Sequence, residues 1–139
     1  MPPTNRKMGF TCGVYDLFHA GHVLMLQECR EHCDYLIVAL NQAGNLPAGK
    51  NQPIFTIEQR VLILQQCKLV DEVLTYNSEA ELEALLSDLR RDVRFLGSDY
   101  ADKPITGEQF SGETYFTNRD HGLSTSGFIR QILSQYNPS

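Results

Sequence analysis

The run Tyr35-Leu-Ile-Val-Ala-Leu40 places the strongest limit on how this chain can fold. The run is apolar without interruption, whereas a strand with one face in water alternates apolar and polar residues. Continuous apolar strands are typical of parallel sheets, because helices cover both faces of such sheets. The run is also far shorter than the roughly 20 residues that cross a bilayer. It therefore predicts a buried central strand of an α/β domain and no membrane insertion.

Strand-like runs alternate with helical patterns along the rest of the chain. The other predicted strands cover residues 8–14, 71–76, 92–96 and 113–117. Helices of about a dozen residues between such strands favour crossover connections in a parallel sheet. We therefore expect a Rossmann-like parallel sheet of five strands with helices on both faces. A single domain should span residues 1–139, with a loose tail at residues 1–7.

Apolar residues at helical spacing, together with capping signals, predict four helices. The second and third helices follow capping-box patterns, Thr56-Ile-Glu-Gln59 and Ser78-Glu-Ala-Glu81, and the fourth begins near Ser124. The expected buried stripes are, in chain order, Val23, Leu26, Cys29 and Cys33; Ile57, Val61, Leu64 and Cys67; Leu82, Leu85, Leu86 and Leu89; and Phe128, Ile129, Ile132 and Leu133.

Charge and cysteine content exclude several classes of protein. The 12 Lys and Arg against 17 Asp and Glu give a net charge of -5, so the overall field repels polyanions and no nucleic-acid partner is expected. The first residues lack the apolar core of a secretory signal, which predicts a cytoplasmic protein. The four cysteines lie within apolar patterns, which predicts reduced thiols. A zinc site at Cys29, His32 and Cys33 is the weaker interpretation, because both cysteines share one helical stripe.

The motif His19-Ala20-Gly21-His22 lies between the first strand and the first helix, where phosphate groups bind in parallel α/β domains. A helix N-terminus has unpaired N–H groups and a partial positive charge, and glycine lets a ligand approach the backbone. Imidazoles there can donate hydrogen bonds to phosphate oxygens as negative charge develops. The motif predicts a nucleotide-phosphate site. The simpler alternative is one capping histidine and one surface histidine, and a zinc pair lacks further ligands at suitable spacing.

A second polar cluster follows the fifth strand. The segment Asn118-Arg-Asp-His-Gly-Leu-Ser-Thr-Ser126 places an arginine before a glycine turn and a hydroxyl-rich helix start. Ser124 or Thr125 would be an ordinary N-cap. The same arrangement can also turn hydroxyls, backbone N–H groups and the arginine toward one anion. Two such clusters at one edge of a sheet suit a nucleoside triphosphate.

These segments resemble the cytidylyltransferase family, and within it the glycerol-3-phosphate cytidylyltransferases, over nearly the whole chain. Gly13-Val-Tyr-Asp-Leu-Phe-His-Ala-Gly-His22 is similar to the family's Gly-Thr-Phe-Asp-Leu-Leu-His-x-Gly-His, and residues 119–126 are similar to its Arg-Thr-Glu-Gly-Ile-Ser-Thr-Thr. Further matches are Glu58-Gln-Arg60, Lys68-Leu-Val-Asp-Glu-Val73 and Gly97-Ser-Asp-Tyr100. His-x-Gly-His alone is shared with adenylyltransferases and some tRNA synthetases, so the combination carries the resemblance.

The resemblance implies transfer of CMP from CTP to a phosphorylated small molecule, which would be glycerol 3-phosphate or a related polyol or sugar phosphate. Pyrophosphate would leave in one in-line step, and Mg²⁺ would be carried by the nucleotide phosphates with no protein ligand assigned. By similarity, His19 and His22 stabilise the transition state at the α-phosphate. Arg119, Ser124 and Thr125 hold the β- and γ-phosphates. The family also implies a homodimer.

Other site residues carry over by the same similarity. Lys50, in the loop after the second strand, would cover phosphate, and the backbone of Val14 and Tyr15 and the segment around Asp99 would border the nucleoside. Asp16, Arg60 and Lys68 are candidates for substrate contact. Asp16 also fits a turn residue that orients the first loop, and the two cations also fit solvated helix charges. The remaining expected nucleotide contacts are Ala20, Gly21, Asp120, His121, Gly122, Leu123 and Ser126.

Differences from the family leave the nucleotide and the acceptor open. The chain has only Lys50 in a loop that is lysine-rich in the glycerol phosphate enzymes, no lysine over residues 78–89, and Asp120-His121 in place of Thr-Glu. The enzyme alternative is an adenylyltransferase of the heptose-phosphate or flavin type. The non-enzyme alternatives are a catalytically inactive nucleotide-binding module and a homo-oligomeric structural protein.

Overall fold

The structure is a computed structural model that describes residues 6–42, 52–97, 105–107, 112–118 and 121–136. Its elements follow the alternating order that the sequence predicts. None of the described helices is long and apolar enough to cross a membrane. In chain order the elements are β1 (Met8–Gly13), α1 (Ala20–Arg30), β2 (Tyr35–Asn41), α2 (Ile57–Gln65), β3 (Glu72–Tyr76), α3 (Glu79–Asp88), β4 (Val93–Gly97), β5 (Glu113–Thr117) and α4 (Thr125–Tyr136).

The strands form one sheet in the order β3-β2-β1-β4-β5, and every strand pair is parallel. The chain adds strands in one direction from β1 to β3 and in the other direction from β4 to β5. The order therefore reverses between β1 and β4, which is the switch point where open α/β sheets bind ligands beyond the carboxyl ends of the strands. The predicted Rossmann-like parallel sheet of five strands is confirmed.

Two apolar clusters cover the two faces of the sheet. Along β2, Leu36, Val38 and Leu40 pack in the cluster that includes residues of α1 and α2. Ile37 and Ala39 pack in the cluster of the other face, which includes residues of α3. All five side chains are at most 1% exposed. This two-sided burial is the reason why the run in β2 contains no polar residue.

The capping signals are realised in full at α2 and in part at α3. Thr56 Oγ1 accepts from the Gln59 N–H at 3.2 Å, and Gln59 Oε1 accepts from the Thr56 N–H at 2.9 Å. At α3, Ser78 Oγ accepts from the Glu81 N–H at 3.1 Å. The Glu81 carboxylate, however, accepts from the N–H of Asn77, one residue earlier than a capping box requires. The predicted box at α3 is therefore only half formed.

Each of the four predicted apolar stripes differs in part from expectation. Cys67 and Leu89 lie just beyond the ends of α2 and α3. Helix α1 ends at Arg30, so Cys33 lies beyond the helix, although it is buried in the same cluster. In α4, Ile132 and Leu133 are 53% and 61% exposed. A helical period shows that one face is apolar, but it does not show that the chain folds over that face. Helix α4 instead contacts α1 near its own first turn, where the Phe128 ring lies 4.8 Å from the His19 ring.

The predicted tail is wrong for its last two residues, Arg6 and Lys7. The Lys7 N–H donates to Asp34 Oδ2 at 2.9 Å, and the Lys7 carbonyl accepts from the Asp34 N–H at 2.8 Å. The Arg90 guanidinium donates to the Arg6 carbonyl at 2.9 Å. These long-range hydrogen bonds hold both residues beside β1. Residues 1–5 lie outside the described part of the chain.

Replacing Gly9 with alanine should destabilise the fold, because β1 has no room for a Cβ at this position. The added atom would lie 2.7 Å from Cys33 Sγ and 2.8 Å from Phe95 Cε2, and both side chains are buried. We expect Gly9→Ala to lower the free energy of unfolding by about 1–3 kcal/mol, the usual cost of overpacking. Urea denaturation measures this change. The double variant Gly9→Ala/Cys33→Ala should recover part of the loss, and wild-type stability in the single variant would contradict the prediction.

Candidate active site

Two imidazoles cap the N-terminus of α1. His19 is the N-cap residue, and its Nδ1 accepts from the Gly21 N–H at 3.0 Å. His22 is the third helical residue, and its Nδ1 accepts from the His19 N–H at 3.1 Å. Each Nδ1 is an acceptor, so in the neutral rings the proton is on Nε2. The helix start therefore sets the tautomer of both histidines.

His19 also links α1 to the start of α4. Its Nε2 lies 3.1 Å from Thr125 Oγ1, and the Thr125 hydroxyl donates to the Asp16 carbonyl at 3.3 Å. The hydroxyl uses its proton on Asp16, so its oxygen accepts the Nε2–H of His19. This chain of hydrogen bonds joins the loop after β1 with the first residues of both helices.

The two histidines lie in a partly buried aromatic group. Their ring centroids are 4.0 Å apart, and the Phe18 ring stacks on His22 at 5.4 Å. Burial lowers the pKa of His19 from its ordinary value, and the charge of His121 lowers this pKa further. His19 is therefore neutral near pH 7 and can donate through Nε2.

The loop before α4 packs directly on the start of α1. His121 Nδ1 accepts from the Leu123 N–H at 2.9 Å, and Ser124 Oγ caps α4 by accepting from the Gly127 N–H at 3.1 Å. A Cβ on Gly21 would lie 3.0 Å from Leu123 Cβ. The N-termini of α1 and α4 thus meet, and each adds a partial positive charge that attracts anions.

Several expected nucleotide contacts lie at this junction, and others lie outside the described residues. Ala20 and Ser126 are exposed at the starts of α1 and α4, and Gly122 turns with a φ of +70°. The Tyr15 side chain is buried and its hydroxyl lies 3.5 Å from Thr11 Oγ1, so only its backbone is available to a ligand. The expected contacts Lys50, Asp99, Arg119 and Asp120 fall outside the described residues and stay predictions.

The structure places the three candidates for substrate contact in different surroundings. Lys68 follows α2 and precedes β3, so it lies at the amino-terminal edge of the sheet, opposite the histidines. Arg60 is 2% exposed, and its guanidinium donates to backbone carbonyls. It is therefore not a solvated helix charge. The Asp16 carboxylate accepts from three backbone N–H groups, as expected of a residue that orients the first loop.

Sequence reasoning missed Glu28, which holds the end of β5. Its carboxylate accepts from the Asn118 N–H at 2.9 and 3.2 Å and from the Tyr115 hydroxyl at 2.9 Å. The hydrogen bond to Glu28 raises the pKa of Tyr115. Helix α1, which carries the histidines, thus also anchors the residue that leads into the second polar cluster. No periodicity marks Glu28, because its partners are about 90 residues away in sequence.

The donors at this site suit an anion. They are imidazole N–H groups, hydroxyls and backbone N–H groups at two helix starts, which are groups that can bind phosphate oxygens. Within residues 6–42, 52–97, 105–107, 112–118 and 121–136, no three His, Cys, Asp or Glu side chains form a group that could hold a metal. A parallel α/β sheet with these donors at its switch point is typical of a nucleotide-binding domain.

The chain belongs to the cytidylyltransferase-like family, which matches residues 10–126. The resemblance recognised in the sequence is thereby confirmed at the level of the family. Among its relatives, the bifunctional protein HldE of Helicobacter pylori strain HPAG1 is 32% identical over 134 residues, which are 95% of this chain and 29% of the relative. HldE of Helicobacter hepaticus is 34% identical over 128 residues, which are 91% of this chain and 26% of the relative. The chain thus spans less than a third of these relatives.

Solved structures of other proteins share the fold. A lipopolysaccharide core biosynthesis protein from Thermoplasma volcanium superposes with a TM-score of 0.66 at 20% identity, covering 81% of this chain and 95% of that one. Pantothenate synthetase from Thermus thermophilus superposes with a TM-score of 0.58 at 12% identity, covering 93% of this chain and 70% of that one. At these identities the likeness supports the α/β architecture.

Replacing Gly21 with alanine should impair transfer while the fold persists. The added Cβ would lie 2.8 Å from Cε1 and 3.0 Å from Nδ1 of His19, so the ring must move and lose its hydrogen bond. We expect turnover to fall at least about tenfold, since small displacements of reacting groups are costly. Pyrophosphate release and circular dichroism measure the two effects. Leu24→Ala, on the exposed side of α1, is the control, and wild-type turnover in Gly21→Ala would contradict the prediction.

Acid should destabilise the wild type more than the variant His19→Asn. The fold lowers the pKa of His19, so the unfolded chain takes up this proton first as the pH falls. The stability that depends on neutral His19 is complete above the unfolded pKa of about 6.5 and is lost as the pH falls through the folded value. Asparagine keeps the N-cap acceptor and does not titrate. Urea denaturation of both proteins between pH 8 and pH 5 tests this, and a stability difference that is independent of pH would refute it.

Proposed function

We propose that this chain transfers an adenylyl group from ATP to a sugar phosphate of the heptose-phosphate type. An oxygen of the acceptor phosphate attacks the α-phosphorus, the bond to the β-phosphate breaks, and pyrophosphate leaves. This function is the adenylyltransferase alternative and not the CTP-dependent reaction that the first resemblance implied. The observation that carries the choice is the similarity to the HldE relatives, at 32% identity over 95% of this chain.

The two imidazoles are suited to stabilise the transition state. The capping hydrogen bonds leave an Nε2–H donor on each neutral ring, at the switch point of the sheet. Charge on the phosphate oxygens grows during transfer, so donors held in place bind the transition state more strongly than the ground state. A phosphate oxygen can replace the Thr125 hydroxyl as the acceptor of the His19 proton. Neither histidine forms a covalent bond in this scheme.

The helix starts and the second cluster are proposed to hold the rest of the triphosphate. Ser124 accepts from the Gly127 N–H through its oxygen, so its hydroxyl proton can still be donated to a phosphate. Thr125 and the first N–H groups of α4 lie beside it, and Arg119 would add a planar fork of donors. Because these groups lie beside His19, the β- and γ-phosphates would bind next to the reacting α-phosphate.

Mg²⁺ is proposed to arrive with the triphosphate. The described donors at the site are N–H and O–H groups, which fit phosphate oxygens and not a cation. When bound, the ion would neutralise charge on the leaving pyrophosphate. The residues of this chain would then need only to bind and orient the phosphate oxygens. The homodimer and the cytoplasmic location stay predictions from the resemblance and the sequence.

Calorimetric binding of ATP and of CTP, each with Mg²⁺, tests the choice of nucleotide. We expect ATP to bind at least about tenfold more tightly than CTP, a difference of about 1.4 kcal/mol. Pyrophosphate release should then require a heptose or hexose phosphate and should be slow with glycerol 3-phosphate. Preference for CTP with glycerol 3-phosphate would favour the cytidylyltransferase function that the first resemblance implied. No release of pyrophosphate with any acceptor would favour an inactive nucleotide-binding module.

His22→Gln separates catalysis from helix capping in the same assay. Glutamine at this position can still accept from the His19 N–H, as in an ordinary capping box, but it provides no imidazole. We expect unchanged stability and a loss of turnover of about 10²-fold or more. Wild-type turnover in this variant would remove His22 from the mechanism.

A further inference from the structure

The turn after β1 contains two strained residues. Tyr15 has a φ of 55° and Leu17 a φ of 52°, in the left-handed region that side chains other than those of Asn and Asp disfavour. Such backbone persists only where neighbouring contacts hold it. His19 comes two residues after Leu17, so the shape of this turn decides where both imidazoles point.

Asp16, between the two strained residues, ties the turn to the segment that enters α2. Its Oδ1 accepts from the Leu17 N–H at 3.0 Å and the Phe55 N–H at 2.9 Å. Its Oδ2 accepts from the Ile54 N–H at 2.8 Å. Both carboxylate oxygens are thus engaged with backbone. The carbonyl of the same residue accepts from Thr125, which binds His19, so movement of Asp16 would also move an acceptor of the imidazole.

Arg60 holds the same segments from within the protein. Its Nε donates to the Phe55 carbonyl at 3.2 Å, and its Nη1 donates to the carbonyls of Val14 at 3.1 Å and Asn41 at 2.7 Å. The side chain is 2% exposed, and burial lowers its pKa while the charge of Asp16 opposes that shift. Phe55 therefore has its N–H bound by Asp16 and its carbonyl bound by Arg60. The buried guanidinium of Arg60 therefore links the ends of β1 and β2 to the start of α2 through hydrogen bonds.

We propose that Asp16 and Arg60 are positioning residues for nucleotidyl transfer, because they hold the strained turn at residues 14–17 in the shape that aims His19 and His22. They act through backbone groups and not by contact with the substrate. The proposal rests on the nucleotidyltransferase activity of the family but not on the choice of ATP or CTP. It replaces the sequence-based expectation of substrate contact for both residues.

The variants Asp16→Asn and Arg60→Lys test this proposal. Asparagine keeps the shape of Asp16, but it has one acceptor oxygen, whereas in the wild type both carboxylate oxygens accept from backbone N–H groups. Lysine keeps the charge of Arg60 but lacks the planar fork that reaches several carbonyls. Asp71→Asn and Arg30→Lys are matched controls. Arg30 and Asp71 form an ion pair at the opposite edge of the sheet, where Asp71 also accepts from the Leu36 N–H at 2.9 Å.

Kinetics and histidine spectroscopy give readouts that a purely structural role would not change. We expect kcat per folded molecule to fall about 10- to 100-fold in both test variants, while KM for the nucleotide changes less than about threefold. Nitrogen NMR of the ligand-free protein should show His19 losing its single Nε2–H tautomer. Both controls should keep wild-type kcat and histidine signals, even where their stability falls.

A double-mutant cycle with Leu17→Gly tests the strain itself. Glycine adopts the left-handed backbone without cost, so it removes the need to hold the turn. In that background the turn can keep its shape without Asp16, so we expect Asp16→Asn to lower kcat about tenfold less than it does in the wild type. The effect of losing the leucine side chain cancels in this cycle, because both proteins in the Leu17→Gly background lack that side chain.

Three results would overturn the proposal. Lower stability with control-like kcat and histidine signals would make both residues structural only. A large rise in KM with little change in kcat would make them substrate contacts. Additive effects in the cycle would show that the strain at Leu17 is not coupled to Asp16. If Arg60→Lys does not fold, Asp16→Asn decides the outcome. If neither ATP nor CTP supports turnover, the proposed function fails, and the histidine signals still decide this proposal.

Discussion

The capping of α1 by two imidazoles is the interaction on which the rest of the site depends. A helix start leaves N–H groups without intrahelical partners, and here the Nδ1 atoms of His19 and His22 accept from the N–H groups at this helix start. The same bonds leave the proton of each neutral ring on Nε2. Serine and glutamate would cap the helix equally well, but they would provide no N–H donor for a phosphate. The helix cap and the donor pair are therefore the same two side chains.

Sheet topology brings a second helix start to the first. Because all five strands are parallel, the segments that follow β1 and β5 emerge at the same edge of the sheet. Leu123 then packs near Gly21, and Thr125 contacts His19. In a protein with a net charge of -5, these two helix starts concentrate local positive potential where the overall field is unfavourable to anions. Glu28 secures the arrangement by holding the end of β5 from α1.

The sequence predicted those parts of the fold and the site whose causes are local. The run in β2 is continuous because both of its faces are buried, and the cap of α2 uses residues three apart in sequence. The charged residues show the limit of this reasoning. In the sequence, Arg60 and Lys68 are both cations on or near the second helix. In the structure, Arg60 is buried against carbonyls, whereas Lys68 lies at the amino-terminal edge of the sheet. In α4, the exposed Ile132 and Leu133 show that an apolar stripe does not specify what covers it.

By itself, the sequence determined the five strands, the helices between them and the place of the histidine pair, since each is encoded within a window of about ten residues. The family followed from several such windows in combination. Only the tertiary structure decided which groups those histidines face. The contact between His19 and Thr125 joins residues 106 apart, and Arg60 gathers carbonyls from positions 14, 41 and 55. Such contacts depend on how strands are ordered in the sheet and on which polar atoms burial forces together. A local pattern of residues specifies neither the strand order nor the partners of buried polar atoms.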